Sequence, residues 1–199
     1  MTPCVYLVDD DEAIRDALGW LLQSRGVECR TFPSAEAFAQ AWSPQLAGCI
    51  LLDIRMTGMS GLELFDLLQE RGNLLPVIFL TGHGDVPMAV SALKKGAFDF
   101  VEKPFNDNEL VTRLEEALQL DTHARATAAS NDSINERLTR LTTRERQIMD
   151  LVLAGKFNKV IADELQISMR TVEVHRAKVF EKMGVRTAVE LSQLMKDRR

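Results

Sequence analysis

Short apolar runs alternate with longer amphipathic stretches along the first 120 residues. Short continuous apolar runs predict buried strands, and apolar positions spaced three and four apart predict helices. The predicted strands are residues 4–8, 28–32, 46–53, 76–80 and 98–101, and the predicted helices are residues 12–25, 34–42, 60–71, 85–95 and 106–120. Five such strand–helix repeats predict a doubly wound α/β fold built on a five-stranded parallel sheet.

Residues that begin and end helices support these bounds. Ser34 and Asp85 are expected as N-caps, and Gly72 and Gly96 follow two of the predicted helices. Open sheets of this class bind ligands beyond the carboxyl ends of their strands. The residues that follow the strands are therefore the candidates for a functional site.

The pattern changes after residue 120. Residues 121–135 predict a linker, helical in part, with a break at Ser130-Asn131-Asp132-Ser133. Residues 136–199 show only helical spacing and predict four helices. Thr142 and Glu145 have the capping-box spacing at the start of the first of these helices.

The second and third helices of this segment are separated by a short turn. Asn158 is expected to cap the second helix, with Phe157 packing against Ala162. Ser168 is expected to cap the third, which continues to about Met183. Two helices joined by a tight turn, the second long and basic, form the helix-turn-helix pattern.

The third helix has two different faces. Val172, His175, Val179 and Met183 share one face and are expected to pack inward, with His175 as a hydrogen-bonded helix residue and not a metal ligand. The other face would meet a DNA major groove, where bases would be contacted by Arg170, Glu173, Val174, Arg176, Ala177 and Lys178. Phosphate contacts are expected from Lys159, Thr171, Lys182 and Arg186. Periodicity alone equally supports a helical bundle with a solvated charged face.

Composition adds bounds on class and location. The chain is 46% hydrophobic and 27% charged, as globular proteins are. We expect no membrane association and a cytoplasmic location, because no apolar run approaches about 20 residues and no signal peptide is visible. Cys4, Cys29 and Cys49 show no pairing pattern and are expected to be free, buried thiols.

The net charge of −5 hides two unlike segments. Residues 1–120 carry 18 acidic and 9 basic side chains, a net −9, whereas residues 121–199 carry 11 and 15, a net +4. This asymmetry indicates that the second segment contacts a polyanion.

Polar residues with matched chemistry follow the predicted strands. Asp9 and Asp10 follow the first strand, Asp53 ends the third, Thr81 follows the fourth and Lys103 comes after the fifth. Clustered carboxylates repel unless a cation is present, and a few carboxylates with water and phosphate are the usual ligands of Mg²⁺. The set predicts a magnesium site where a carboxylate carries a phosphoryl group.

Residues 1–120 resemble the receiver domain of two-component response regulators, which is flavodoxin-like. The resemblance implies that Asp53 is the phosphoacceptor. It implies that Asp10, Asp53 and the Arg55 carbonyl are direct Mg²⁺ ligands, with Asp9 acting largely through water. It also implies that Thr81 and Lys103 contact the phosphoryl oxygens.

Two further positions bear on this resemblance. Phe100 would be the family's aromatic switch, although a core aromatic is equally consistent with the sequence. The Lys103–Pro104 peptide bond would be cis. The family usually has proline where this chain has Thr57, and this departure is expected to loosen the loop that holds the Arg55 carbonyl.

The C-terminal motifs carry a second resemblance, to the LuxR-type DNA-binding domain. They are Leu141-Thr142-Thr143-Arg144-Glu145-Arg146, Asn158-Lys159-Val160-Ile161-Ala162, Ile167-Ser168, Thr171-Val172-Glu173-Val174-His175-Arg176 and Lys182-Met183-Gly184-Val185. The combination is similar to the FixJ/NarL family of bacterial response regulators. It divides the chain into a receiver (1–120), a linker (121–135) and a helix-turn-helix domain (136–199).

The resemblance implies a phosphorylation-switched transcription regulator. Its partners would be a sensor histidine kinase, double-stranded DNA, RNA polymerase and a second copy of the chain. Dimerisation is expected on the fourth helix, fifth strand and fifth helix, around Val90, Lys94, Lys95, Arg113 and Glu116. Two alternatives are a DNA-binding protein whose receiver is not phosphorylated, and a phosphotransfer hydrolase with Asp53 as nucleophile. The stimulus, the promoters and the sign of regulation are not encoded in any motif.

Overall fold

The computed structural model describes residues 3–82 and 86–197. The chain divides into two compact units, Met1–Arg125 and Ala126–Arg199. The strands of the first unit are β1 (Cys4–Val8), β2 (Cys29–Phe32), β3 (Gly48–Asp53), β4 (Val77–Thr81) and β5 (Asp99–Glu102). Its helices are α1 (Glu12–Ser24), α2 (Ala35–Ala41), α3 (Gly61–Glu70), α4 (Val86–Lys94) and the first part of α5 (Asp107–Thr139).

The five strands form one parallel sheet in the order β2-β1-β3-β4-β5, which confirms the predicted fold. Successive side chains of each strand face opposite sides of the sheet. Core residues of α2, α3 and α4 cover one side, and those of α1 and α5 cover the other. The winding direction therefore reverses between β1 and β3, where this class of sheet places its ligands.

The second unit is helical. It contains α6 (Thr143–Leu153), α7 (Asn158–Leu165), α8 (Met169–Met183) and α9 (Ala188–Asp197), as the four predicted helices require. Ile134 and Leu138, from the end of α5, belong to its hydrophobic core. No helix within residues 3–82 and 86–197 has the length and apolarity needed to cross a membrane.

The predicted break at Ser130-Asn131-Asp132-Ser133 is wrong, because α5 continues through these residues to Thr139. Neither glycine nor proline occurs between residues 107 and 139. Serine, asparagine and aspartate each cost at most about 0.7 kcal/mol in a helix interior, which packing of Ile134 and Leu138 offsets.

Most predicted caps are observed. Ser34 and Ser168 accept hydrogen bonds as the N-caps of α2 and α8, and Thr142 forms a complete capping box with Glu145. Gly184 ends α8 in the left-handed conformation, with φ of 67°. The predicted N-cap Asp85 lies outside the described residues.

The expected start of α7 is wrong in detail. Asn158 is the first residue of the helix, and Phe157 occupies the N-cap position without a side-chain hydrogen bond. The Asn158 amide oxygen instead accepts a hydrogen bond from Arg176 Nη1, at 2.6 Å. Phe157 is 82% exposed, so most of its side chain faces solvent.

The three cysteines are free, and Cys4 and Cys49 are buried. Cys29 is only half-buried, because β2 is an edge strand of the sheet. Burial raises the pKa of the Cys4 thiol to about 11 and that of Cys29 to about 12, so both thiols are protonated at neutral pH.

Candidate functional site

Four of the predicted site residues meet at the carboxyl edge of the sheet. Asp9 follows β1, Asp53 is the last residue of β3, Thr81 is the last residue of β4, and Lys103 follows β5. Asp53 is paired in register with Leu80, one residue before Thr81. Parallel pairing thus brings residues that are far apart in sequence to one edge.

The Lys103 ammonium joins the two buried carboxylates of this edge. Its Nζ lies 2.6 Å from Asp53 Oδ1 and 3.0 Å from Asp9 Oδ2. Asp53 is 6% exposed and Asp9 is 1% exposed, so bulk water screens neither contact well. One lysine therefore neutralises only half of the charge of the carboxylates that it touches.

Burial raises the pKa of the Asp53 carboxyl, and the neighbouring Asp9 adds to that rise, while the Lys103 ammonium and the Arg55 N–H oppose it. Burial alone would lower the pKa of Lys103, but its hydrogen bonds to Asp53 and Asp9 outweigh burial and raise it. Lys103 is therefore a fixed positive charge beside Asp53 at neutral pH.

Hydrogen bonds between side chains and backbone hold the loop that follows β1. The Asp11 N–H donates to Asp9 Oδ1 at 2.9 Å, and Arg15 Nη1 donates to the Asp9 carbonyl at 2.8 Å. Asp11 also caps α1 by accepting the Ala13 N–H. These contacts fix the Asp9 side chain toward Lys103 and leave the next residue, Asp10, exposed.

Asp10 is held by the loop between β3 and α3. Its Oδ2 accepts the Thr57 N–H at 2.8 Å and the Thr57 hydroxyl at 2.7 Å. Thr57 is tied to Asp10 by two hydrogen bonds that a proline at this position could not donate. The expected loosening of this loop stays a prediction. Further along, the Met59 N–H donates to Glu36 Oε1 at 2.8 Å, which ties the loop to α2 as well.

The first turn of α3 lies directly against the end of β3. Gly61 follows the N-cap Ser60, and its N–H donates to the Ile54 carbonyl at 3.0 Å. A Cβ at Gly61 would lie 2.0 Å from the Asp53 carbonyl oxygen. Glycine is therefore required here, because the helix could not otherwise approach Asp53 this closely.

Thr81 and Phe100 lie on neighbouring strands. Thr81 is fully buried, and its hydroxyl donates to the Gly82 carbonyl at 3.0 Å. Phe100 is half-buried and packs against the core on the α2–α4 side of the sheet. The Lys103–Pro104 peptide bond is cis, as the resemblance implies.

The carboxyl edge suits Mg²⁺ in charge and in donor type. Asp9, Asp10 and Asp53 offer hard oxygen ligands, and Asp9 and Asp53 share the single ammonium of Lys103. Within residues 3–82 and 86–197, no three acidic, histidine or cysteine side chains are grouped at metal-ligand spacing. Oδ2 of Asp10 is engaged by Thr57, so a cation bound through this oxygen would compete with the Thr57 donors.

A second candidate site lies on α7 and α8. Gln166, in the left-handed conformation with φ of 53°, makes the turn between the two helices. The inward residues Val172, Val179 and Met183 are buried, as predicted. His175 is half-buried, but its Nδ1 has no hydrogen-bond partner, contrary to expectation. Exposed residues on the outer face are Arg170, Glu173, Val174, Ala177 and Lys178.

Two of the residues expected to contact DNA, Arg176 and Lys182, already have partners within the domain. Arg176 donates to Asn158 Oδ1 and lies over the Phe180 ring, with 5.6 Å from its Cζ to the ring centroid. Lys182 Nζ donates to Glu145 Oε2 at 2.6 Å and to the Arg140 carbonyl at 3.0 Å. Neither contact is visible in the sequence, because the partners are 18 and 37 residues apart.

An open groove of about 770 Å³ lies beside the outer face of α8. Its lining includes Lys159, Glu173, Arg176 and Ala177, four of the residues expected to contact DNA. Lys159 and Arg186 are exposed, and Thr171 is half-buried near the start of α8. The DNA contacts themselves stay a prediction.

The expected dimer surface is only partly free. Val90, Lys94 and Glu116 are exposed. Lys95 Nζ lies 2.8 Å from both carboxylate oxygens of Asp66 on α3, and Arg113 is bound to Asp99 and Glu109. The role of this surface also stays a prediction.

Both segments match known families. Residues 5–115 match the response regulator receiver domain, and residues 139–195 match the bacterial regulatory proteins of the luxR family. The chain is 47% identical over 196 residues to the C4-dicarboxylate transport transcriptional regulatory protein DctR of Rhodobacter capsulatus, which covers 98% of this chain and 100% of DctR. The chain belongs to the two-component response regulators.

Other relatives of this response regulator agree. It is 44% identical over 191 residues to the transcriptional regulatory protein FixJ of Bradyrhizobium diazoefficiens, covering 96% of this chain and 93% of FixJ. Among solved structures, the response regulator StyR matches with a TM-score of 0.90 at 40% identity, covering 98% of this chain and 99% of StyR. Full-length FixJ from B. japonicum matches with a TM-score of 0.63 at 41% identity, covering 100% and 98%.

The response regulator is thus a two-component transcriptional regulator that joins a receiver to a LuxR-type helix-turn-helix domain. Its family is one of transcription regulators and not of classical enzymes. A receiver implies a sensor kinase as partner, and the LuxR-type domain implies DNA binding.

Proposed function

We propose that Asp53 accepts a phosphoryl group from a sensor histidine kinase and that this modification controls DNA binding by the second unit. The observation that carries the proposal is the position of Lys103 Nζ, which lies 2.6 Å from Asp53 Oδ1 and 3.0 Å from the buried Asp9. An ammonium held at this point offsets the charge of the carboxylate that must approach a phosphoryl group.

Each residue of the carboxyl edge has a role in the transfer. An Asp53 carboxylate oxygen forms a bond to phosphorus while the bond between phosphorus and the histidine nitrogen of the kinase breaks. Lys103 and the Thr81 hydroxyl bind the phosphoryl oxygens. The phosphoryl group on Asp53 carries more negative charge than the free Asp53 carboxylate. Asp10, Asp53 and the Arg55 carbonyl would hold Mg²⁺, with Asp9 contributing largely through water. When bound, Mg²⁺ supplies positive charge to the phosphoryl oxygens.

The response to phosphorylation begins at Thr81. Its hydroxyl leaves the Gly82 carbonyl, where it donates at 3.0 Å, and turns toward the new dianion. Phe100, half-buried on the adjacent strand, moves into the space released beside β4. The resulting change on α4, β5 and α5 creates a dimer surface around Val90, Lys94 and Glu116.

Dimerisation presents two copies of α8 to two half-sites of DNA. Linking two DNA-binding domains that each bind weakly raises the total affinity for DNA without a new contact. Weak binding by a single domain is expected because residues 121–199 have a net charge of only +4. The outer face of α8, with Arg170, Glu173, Val174, Ala177 and Lys178, contacts bases. Lys159, Thr171 and Arg186 contact phosphates. Arg176 joins them only after leaving Asn158, and Lys182 has a structural role.

The remaining assignments follow from this role. Residues 1–120 form the receiver, 121–135 the connection and 136–199 the DNA-binding domain, which works in the cytoplasm where the DNA lies. RNA polymerase is the partner at the promoter. The only chemistry of the chain is phosphoryl acceptance and loss at Asp53.

Labelling by acetyl phosphate tests the phosphoacceptor. With Mg²⁺ present, the wild-type chain should gain one phosphoryl group by intact mass, and Asp53→Asn should gain none. Asp66→Asn, an exposed acid on α3, serves as the matched control and should be labelled as the wild type is. Equal labelling of Asp53→Asn and wild type would contradict the assignment.

A further inference from the structure

One oxygen of Asp10 receives two hydrogen bonds from a single residue. The Thr57 N–H and the Thr57 hydroxyl donate to Asp10 Oδ2 at 2.8 Å and 2.7 Å. Proline, the residue that receivers usually carry at this position, has neither an N–H nor a hydroxyl. This pair of hydrogen bonds, which we name the Thr57 latch, therefore depends on threonine.

The latch holds Asp10 apart from the other two carboxylates. Asp9 and Asp53 both face Lys103 Nζ, whereas the Asp10 carboxylate faces the loop between β3 and α3. No three acidic side chains of the described ranges are grouped as a metal site. A cation bound through Oδ2 of Asp10 would therefore compete with both Thr57 donors, whereas neither Thr57 hydrogen bond involves Oδ1.

The latch stabilises the carboxylate that Mg²⁺ would bind. The Thr57 hydroxyl and the Thr57 N–H both donate to the same carboxylate oxygen of Asp10, at 2.7 Å and 2.8 Å. Hydrogen bonds that stabilise the metal-free carboxylate must be given up, at least in part, when a cation takes their place. Stabilisation of the starting state weakens binding of the cation.

We propose that Thr57 is a positioning residue that opposes Mg²⁺ binding by latching Asp10, so that this receiver loads its metal at a higher Mg²⁺ concentration than it would without the latch. The inference rests on the proposed function, which makes Asp10 a metal ligand. The latch acts only through Asp10, since Thr57 is not itself a ligand.

The test is the Mg²⁺ dissociation constant of the full-length chain, measured by titration of backbone amide signals in NMR spectra. Thr57→Val keeps the shape and the N–H but removes the hydroxyl donor, and Thr57→Pro removes both donors. We expect Thr57→Val to bind Mg²⁺ roughly 3- to 10-fold more tightly, as the loss of one hydrogen bond predicts. Thr57→Pro should bind at least as tightly as Thr57→Val.

Two controls separate the latch from other effects. Thr122→Val makes the same change at an exposed threonine of α5 and should leave the dissociation constant unchanged. Asp53→Asn should bind Mg²⁺ much more weakly than the wild type, and this loss of affinity would assign the bound Mg²⁺ to the carboxyl edge. In the wild type, the Thr57 amide signal should shift upfield on Mg²⁺ saturation as its hydrogen bond to Asp10 breaks.

The outcomes are distinct. Unchanged or weaker Mg²⁺ binding in Thr57→Val would overturn the latch while leaving the proposed metal site intact. Binding in Thr57→Val but not in wild type would be the strongest support for it. An absence of binding in every variant would remove the metal from the proposed function, and the latch with it.

Discussion

Glu145 connects two helices of the DNA-binding unit, and its replacement by glutamine tests this connection directly. The carboxylate is 3% exposed and receives the Thr142 N–H at 2.8 Å and the Lys182 ammonium at 2.6 Å. One contact closes the capping box of α6, and the other joins α6 to α8. Glu145→Gln keeps the shape and an acceptor for Thr142 but removes the charge that binds Lys182.

The size of the effect follows from the pKa of Glu145. Hydrogen bonding by Lys182, supported by the Thr142 N–H, lowers this pKa from 4.5 to about 2. A difference of this size between folded and unfolded chains corresponds to about 3 kcal/mol of stability at neutral pH. The Lys182 side chain is 32% exposed and regains water in the variant. We therefore expect Glu145→Gln to cost about 2 kcal/mol.

The same pKa fixes the pH dependence. Because the pKa is lower in the folded chain, the stabilisation by Glu145 is complete above the unfolded value of 4.5 and is lost as pH falls toward about 2. The cost of Glu145→Gln should thus be largest at pH 7. It should fall by about half at pH 3, where the unfolded carboxyl is protonated and the folded one is only partly so.

Spectroscopy can separate the two units. Tyr6, Trp20 and Trp42 all lie in the first unit, so tryptophan emission reports that unit alone. Hydrogen exchange of α6 and α8 in increasing urea should report the loss of stability in the second unit, while the emission midpoint should stay unchanged. Glu136→Gln breaks a surface ion pair with Arg140 in the same unit and should cost less than about 0.5 kcal/mol.

Two results would refute this reasoning. If Glu145→Gln cost no more than Glu136→Gln at pH 7, the buried pair would contribute nothing beyond a surface pair. If its cost were the same at pH 7 and pH 3, the charge of Glu145 would not be the cause.

Two further predictions concern the receiver and the DNA interface. Gly61→Ala should destabilise the first unit by roughly 3 kcal/mol or more, because its Cβ would meet the Asp53 carbonyl. Urea unfolding followed by tryptophan emission measures this loss. Gly19→Ala, which has open space around it, is the control and should be neutral or stabilising. Lys159→Ala should weaken binding to all DNA sequences and reduce the slope of log affinity against log salt by about 1, whereas Lys178→Ala should alter base preference in a selection experiment. An unchanged salt slope for Lys159→Ala would contradict its role at a phosphate.

The sequence predicts this fold well because its local signals agree with each other. The apolar runs that became β1, β3 and β4 contain almost no polar positions, because these strands are buried along their whole length. The carboxyl ends of parallel strands meet at one edge of the sheet, so Asp53, Thr81 and Lys103 are expected to lie together there. No local spacing in the sequence reveals this grouping.

The departures from prediction arise from contacts between distant residues. The amide of Asn158 binds Arg176, 18 residues away, and the ammonium of Lys182 binds Glu145, 37 residues away. Periodicity places a side chain on a face of a helix but does not identify its partner. At Thr57 the sequence shows the departure from proline, but it does not show the two hydrogen bonds that this residue donates to Asp10.

The central claim is that phosphorylation of Asp53 controls DNA affinity. The direct measurement is the affinity of the full-length chain for a DNA duplex chosen by selection, at fixed salt, with and without beryllofluoride and Mg²⁺. Wild type should bind at least about tenfold more tightly with the phosphoryl mimic, as expected when two readers bind together, whereas Asp53→Asn should show no change. Equal affinity of the wild type with and without the mimic would contradict the account.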